Sequence, residues 1–163
     1  MSKIISVKQA IDISKKLRYQ QKNIVLVGGC FDILHAGHVA FFENAKKHGD
    51  VLFVLLESDE TIKKIKGESR PFYKQKDRAY VLSALSVIDY VISLPEMTND
   101  YDYDKLLLKL KPTIIATTKN DPNRKHKERQ AALAKSKVLD VIQRLPEKST
   151  SSLAKILNRE NDY

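Results

Sequence analysis

The sequence predicts one α/β domain over residues 1–163, built on a doubly wound parallel sheet of five strands. Three observations predict it. Short apolar runs recur along the chain, amphipathic stretches separate them, and no repeat, low-complexity tract or linker interrupts the alternation. The chain opens on an amphipathic helix over Val7–Gln20, followed by the first core strand, IVLVG at Ile24–Gly28. A helix over Ala36–His48 leads to VLFVLL at Val51–Leu56. A second, over Lys76–Ser86, leads to YVISL at Tyr90–Leu94. A third, over Asp102–Leu110, leads to TIIAT at Thr113–Thr117, and a fourth, over Asn123–Ala134, to VLDVI at Val138–Ile142. A last helix is expected over Ser151–Asn158. The strands are short, mostly apolar and rich in Val or Ile, as strands buried on both faces should be. Gly67–Tyr73 and Glu96–Tyr101 read as loops.

Composition narrows the class of protein. With 42% hydrophobic and 30% charged residues the chain is globular rather than disordered. It has no apolar run of transmembrane length, and its N-terminus lacks the apolar centre of a signal peptide. A cytoplasmic location and no membrane partner are the expectation. The single cysteine, Cys30, excludes an internal disulfide and a cysteine-rich metal site. The net charge of +9 calls for an anionic partner. Residues 63–78 and 119–137 each carry seven Lys/Arg against two acids, a local net of +5. Such stretches suit a phosphate-rich ligand, RNA or plain solvation, and charge alone does not choose among them.

In a doubly wound sheet, ligands sit beyond the carboxyl ends of the strands, at the switch in strand order. The loop after the first core strand, Gly29 to His35, is therefore the place to look. The pair Gly28-Gly29 lets the backbone turn tightly and approach a ligand. His35-Ala36-Gly37-His38 follows at a helix start, where unpaired N–H groups attract anions. Two imidazoles three residues apart share a side of the first turn, and Gly37 leaves room for a ligand between them. They are placed to donate hydrogen bonds to an α-phosphate as charge builds on it. A zinc site would need a third ligand, and none is evident nearby. No protein-held metal is expected.

The segment GGCFDILHAGHV resembles the signature of the cytidylyltransferase-like nucleotidyltransferases, whose hallmark is H-x-G-H. The wider run KNIVLVGGCFDILHAGHVAFFENAKKHGD, then KGESRP and Asp89-Tyr90-Val91, is similar to the adenylyltransferase domain of ADP-heptose synthases. Glycerol-3-phosphate cytidylyltransferases are a more distant likeness. The resemblance implies a Rossmann-like fold and an enzyme that transfers a nucleoside monophosphate from an NTP to a sugar or polyol phosphate, releasing pyrophosphate. It favours ATP over CTP without deciding between them and brings magnesium with the nucleotide; a homodimer, a frequent state among relatives, is left open. By resemblance His35 and His38 contact the nucleotide phosphates and stabilise the transition state, and Lys66, on a flexible loop, closes over them. Gly29, Cys30 and Phe31 would cradle the nucleotide, with Gly37, Arg70, Arg144, Ser149, Thr150 and Ser151 as further binding positions. Arg144 and the Ser/Thr run resemble an Arg-x-x-x-x-Ser-Thr-Ser/Thr element, in which hydroxyls at a helix start cap it and take a phosphate. Lys63 and Lys64 read as surface charges. Cys30 is not expected to act as a nucleophile, because the reaction needs no covalent intermediate.

The segment Ala116–Pro122 lacks the Gly-Asp pair that relatives often carry near the base, which leaves base and acceptor open. Two other functions compete. One is a CTP-dependent enzyme of the glycerol-phosphate or phosphocholine type. The other is a non-catalytic nucleotide- or RNA-binding module, supported by the basic 119–137 stretch and opposed by the joint presence of both histidines, the lysine and the Ser/Thr element. A fragment of an aminoacyl-tRNA synthetase is excluded by length and by the lack of an anticodon-binding region.

Overall fold

The computed structural model describes residues 2–143. The expected helix over Ser151–Asn158 lies outside these residues, as do Arg144, Ser149, Thr150 and Ser151. The elements run β1 (Ile4–Ile5), α1 (Val7–Tyr19), β2 (Ile24–Gly29), α2 (Ala36–Lys46), β3 (Val51–Leu56), α3 (Asp59–Lys66), α4 (Gln75–Ala84), β4 (Tyr90–Ser93), α5 (Asp100–Leu110), β5 (Ile114–Lys119), α6 (Arg124–Ala134) and β6 (Lys137–Gln143). All strand pairs are parallel, in the order β1-β4-β3-β2-β5-β6.

Both faces of the central strands are covered, which is why β2 and β3 are apolar or glycine throughout, whereas β5 ends in polar residues and the edge strand β6 carries exposed polar positions. Ile24 and Leu26 of β2 belong to one core and Val25 and Val27 to the other. In β3, Phe53 and Leu55 face the first core, and Leu52, Val54 and Leu56 the second. Helices α1, α5 and α6 close the first core through Ala10, Leu106, Leu107, Leu110, Ala131 and Ala134. Helices α2 and α4 close the second through Phe42, Ala45, Ala79 and Leu82. The chain thus winds one way from β2 to β4 and the other way from β5 to β6, with the reversal between β2 and β5.

The five expected strands all form, within a residue or two of their expected ends. The sheet has a sixth, β1, whose two residues pair with Val91 and Ile92. A two-residue strand is too short to show a periodicity, so only its partner reveals it. Helix α3 is a further difference, since Lys66 was expected on a loop. Its signals are local. Ser58 accepts a hydrogen bond from the Thr61 N–H at 3.1 Å, Asp59 and Glu60 occupy the first turn, and Lys63, Lys64 and Lys66 the last. Gly67 stops it at φ 97°, a conformation that glycine adopts at little cost. Among the described residues, no helix is long and apolar enough to cross a membrane.

Candidate active site

The loop after β2 is shaped from below by a buried ion pair. Asp32 and Arg70 are both almost fully buried, with Arg70 Nε donating to Asp32 Oδ2 at 2.7 Å and Nη2 lying 2.5 Å from the same oxygen. Asp32 also accepts from the backbone N–H groups of Phe72 and Tyr73, at 2.9 and 3.2 Å. The Arg70 guanidinium stacks over the Phe72 ring, 4.7 Å from its centre. Arg70, expected as a nucleotide-binding position, is thus engaged with Asp32 and Phe72 in this structure. Its charge is spent on holding the 67–73 loop against the loop after β2, since a buried guanidinium must be paired.

Arg78, on α4, makes a second tie. It donates to the backbone oxygens of Tyr73, Cys30 and Glu57 at 3.0, 2.6 and 2.9 Å, and to Asp59 Oδ1 at 2.8 Å. One buried guanidinium thereby satisfies carbonyls that the ends of β2 and β3 leave open. Periodicity gave no hint of Arg78, because its partners lie up to 48 residues away.

Phe31 takes φ 44°, the left-handed region, and its ring folds back under Gly29. A Cβ on Gly29 would stand 2.9 Å from that ring, so any larger residue there would have to displace Phe31. The reason differs from the one expected, because the glycine makes room for Phe31 and the unusual backbone turn falls on Phe31 itself. Phe31 is buried and meets the His38 ring edge-on, 5.5 Å between centres.

The two histidines cap their own helix. His35 is the N-cap of α2, and its Nδ1 accepts from the Gly37 N–H at 3.1 Å. His38 Nδ1 accepts in turn from the His35 N–H at 3.4 Å. The His35 carbonyl takes the N–H groups of His38 and Val39. The Gly37, His38 and Val39 N–H groups of the first turn are thus already used within the helix start. A neutral ring whose Nδ1 accepts carries its proton on Nε2. Burial, then the neighbouring His35, then the charge of Lys66 lower the pKa of His38 to about 4. At neutral pH His38 is a hydrogen-bond donor without a charge. The ring centres lie 3.9 Å apart, so the pair acts as one unit.

Beside this pair, at the β2/β5 reversal, a cavity of about 490 Å³ opens at the carboxyl ends of β2 and β3. Gly29, Cys30 and Lys66 line it, and so do Glu57, Tyr103, Asp121 and Lys127. His35, Gly37, His38 and Phe31 are not lining residues. The link to the cavity is Lys66, one of its lining residues, whose charge acts on both His38 and Cys30. Burial pushes the Cys30 thiol up from its ordinary pKa, against the pull of Lys66, so it stays protonated and unsuited to attack. Lys63 and Lys64 turn to Glu68 and Glu96 instead, in exposed pairs.

A sequence model described as cytidylyltransferase-like matches residues 26–156. The chain belongs to the cytidylyltransferase-like family. It is 47% identical over 103 residues to the bifunctional protein HldE of Aliarcobacter butzleri, which is 63% of this chain and 21% of that protein. It is 46% identical over 99 residues to the HldE of Helicobacter pylori strain Shi470, covering 61% and 20%. The matched part thus spans about one fifth of these curated relatives. A lipopolysaccharide core biosynthesis protein from Thermoplasma volcanium GSS1 superposes with a TM-score of 0.62 at 26% identity, covering 76% of this chain and 99% of that one. Pantoate-beta-alanine ligase from Francisella tularensis, complexed with beta-gamma ATP and beta-alanine, superposes with a TM-score of 0.64 at 16% identity. That match covers 100% of this chain and 79% of that one, and shows the shared fold.

In this cytidylyltransferase-like chain the cavity also holds groups that sequence reasoning missed. Tyr103 donates its hydroxyl to Glu57 Oε2 at 2.9 Å, and burial raises the Glu57 carboxyl above its ordinary range despite Tyr103 and Arg78. Burial would push Asp121 up too, but hydrogen bonds from Lys127 and Thr117 hold it below the ordinary value. Three of the seven Lys/Arg of the basic 119–137 stretch are engaged in ion pairs within the fold. Arg124 pairs with Glu128 and Asp140, Lys127 with Asp121, Arg129 with Asp100 and Asp104, and His126 contacts Asp100.

Proposed function

We propose that this chain transfers a nucleoside monophosphate from ATP to a sugar phosphate or polyol phosphate and releases pyrophosphate. The observation that carries this reading is the pair of histidines, each with its Nδ1 accepting from backbone, set beside the switch-point cavity and Lys66. An acceptor phosphate oxygen forms a bond to the α-phosphorus as the bond to pyrophosphate breaks. The protein holds the reactants in line and donates Nε2–H hydrogen bonds to the charge that develops. Lys66 offsets the charge of the phosphates. The resemblance to ADP-heptose synthases and the HldE relatives favour ATP over CTP. A relative named for lipopolysaccharide core biosynthesis favours a sugar phosphate over phosphocholine.

Magnesium belongs to this reading as an ion held by the triphosphate. The cavity carboxylates fit that arrangement, because each is already engaged: Glu57 by Tyr103, Asp121 by Thr117 and Lys127, and Asp100 by His126 and Arg129. Among the described residues, no group of three His, Cys, Asp or Glu is placed to hold a metal.

The deciding experiment is a pyrophosphate-release screen of sugar and polyol phosphates with each NTP. Turnover with ATP and a sugar phosphate is the expected result, and turnover with CTP and phosphocholine alone would overturn it. Calorimetric titration in magnesium should show tighter binding of ATP than of CTP. For Lys66, parallel kinetics separate a specific contact from general attraction. Lys66→Ala should lower kcat/KM by roughly tenfold or more, the scale of a charge-assisted hydrogen bond. Lys63→Ala, on an exposed pair with Glu68, should do little at low or high salt. Equal, salt-sensitive losses at both positions would remove the role given to Lys66.

A further inference from the structure

The function proposed above needs phosphate-binding groups, yet Glu57 places a carboxylate in the same cavity as Lys66. Such a carboxylate repels phosphate, so its place in the cavity marks where the phosphates do not go. It is fixed there at three points. Its backbone N–H donates to the Gly29 oxygen at 3.2 Å, its backbone oxygen accepts from Arg78 at 2.9 Å, and Oε2 accepts from Tyr103 at 2.9 Å. Among the described residues no hydrogen bond is made to Oε1. A carboxylate oxygen keeps acceptor sites for an incoming donor. Glu57 is half-buried at the cavity wall, so a bound ligand can bring a donor to this oxygen in place of water.

We infer that Glu57, oriented by Tyr103, selects the acceptor by receiving a hydrogen bond from one of its hydroxyl groups. This inference rests on the nucleotidyl-transfer reading and deepens it, by naming the side chain that holds the hydroxyls of the acceptor phosphate. The acceptor's phosphate lies toward Lys66 and its hydroxyls toward Glu57. A quaternary ammonium is a poorer fit. Such cations are held by several aromatic faces, and Tyr103 is the one Phe, Tyr or Trp that lines this cavity among the described residues. Lys66 and Arg78 also already supply positive charge around Glu57. Tyr103 is a positioning residue that acts through Glu57.

The test is calorimetric titration of the wild type, Glu57→Ala, Glu57→Gln and Tyr103→Phe. The probes are glycerol 3-phosphate, a hexose 1-phosphate, phosphocholine, inorganic phosphate and ATP with magnesium. The acceptors are titrated with and without a non-hydrolysable ATP analogue. Glu57→Ala should weaken a hydroxylated phosphate by about tenfold or more, the scale of a hydrogen bond to a charged group. Glu57→Gln should lose less, since its carbonyl still accepts, and Tyr103→Phe should lose less than Glu57→Ala. ATP and inorganic phosphate should bind all four proteins alike, which also reports an intact fold. Equal binding of the hydroxylated phosphates by wild type and Glu57→Ala would overturn the inference. So would a parallel loss of ATP, preferred binding of phosphocholine, or no binding of any acceptor by the wild type. Pyrophosphate release is read separately. Glu57-dependent acceptor binding without release would overturn nucleotidyl transfer and leave the acceptor assignment standing.

Discussion

His38→Ala is expected to lower kcat by roughly a hundredfold or more, the cost of losing one preorganised donor to a developing charge. His35→Ala should do the same, with a further effect on His38, whose Nδ1 is held by the His35 N–H and whose ring lies against the His35 ring. Steady-state kinetics with the acceptor found in the screen measure this, and normal turnover by His38→Ala would refute the assigned chemistry. The pH dependence has a definite sign. His38 has a folded pKa of about 4, below its ordinary 6.5. Its neutral form, accepting at Nδ1 and donating from Nε2, therefore persists well below pH 6.5 in the free protein, and protonation near pH 4 ends the Nδ1 acceptance from the His35 N–H while leaving the Nε2 donor in place. Its contribution to stability is complete above pH 6.5. It is lost as pH falls toward about 4, because the unfolded chain binds the proton first. His38→Ala should flatten that part of the stability profile, measured by denaturant unfolding between pH 4 and 7.

Arg70→Ala is expected to destabilise the fold by about 3–5 kcal/mol, the cost of stranding a buried partner. For a chain of this length that lowers Tm on the order of 10 °C. Asp32 has no exposed side-chain surface and would lose its charged partner while keeping two backbone donors. Arg70→Lys should rescue little, since an ammonium cannot reproduce the guanidinium's paired approach or its stack on Phe72. Asp32→Ala should also destabilise strongly, and the double variant should cost less than the two single losses together, because they share one interaction. Thermal and urea unfolding check this. A phosphate-contacting Arg70 would give the opposite pattern, with unchanged stability and weakened ATP binding.

The sequence by itself determined the five core strands, five of the helices around them and the place of the two histidines. Each of these is written in local periodicity. A strand covered on both faces is apolar throughout, an amphipathic helix repeats every three to four residues, and a histidine at position 35 caps whatever helix begins at 36. Helix α3 was legible in the same way, from Ser58, the acids after it and Gly67, although a single turn-rich basic stretch reads as a loop when those caps are not weighed. Only the tertiary structure decided where the long polar side chains go. Arg70 reaches Asp32 across 38 residues, Arg78 reaches Cys30 across 48, and Tyr103 reaches Glu57 across 46. No periodic signal encodes such pairs. Their energy comes from desolvating both partners together, and which partner is at hand depends on how parallel strands are ordered in the sheet. For that reason Arg70 read as a phosphate ligand in the sequence and is a buried partner of Asp32 in the fold, while Glu57, unremarkable in the sequence, is a carboxylate lining the cavity and bonded by Tyr103.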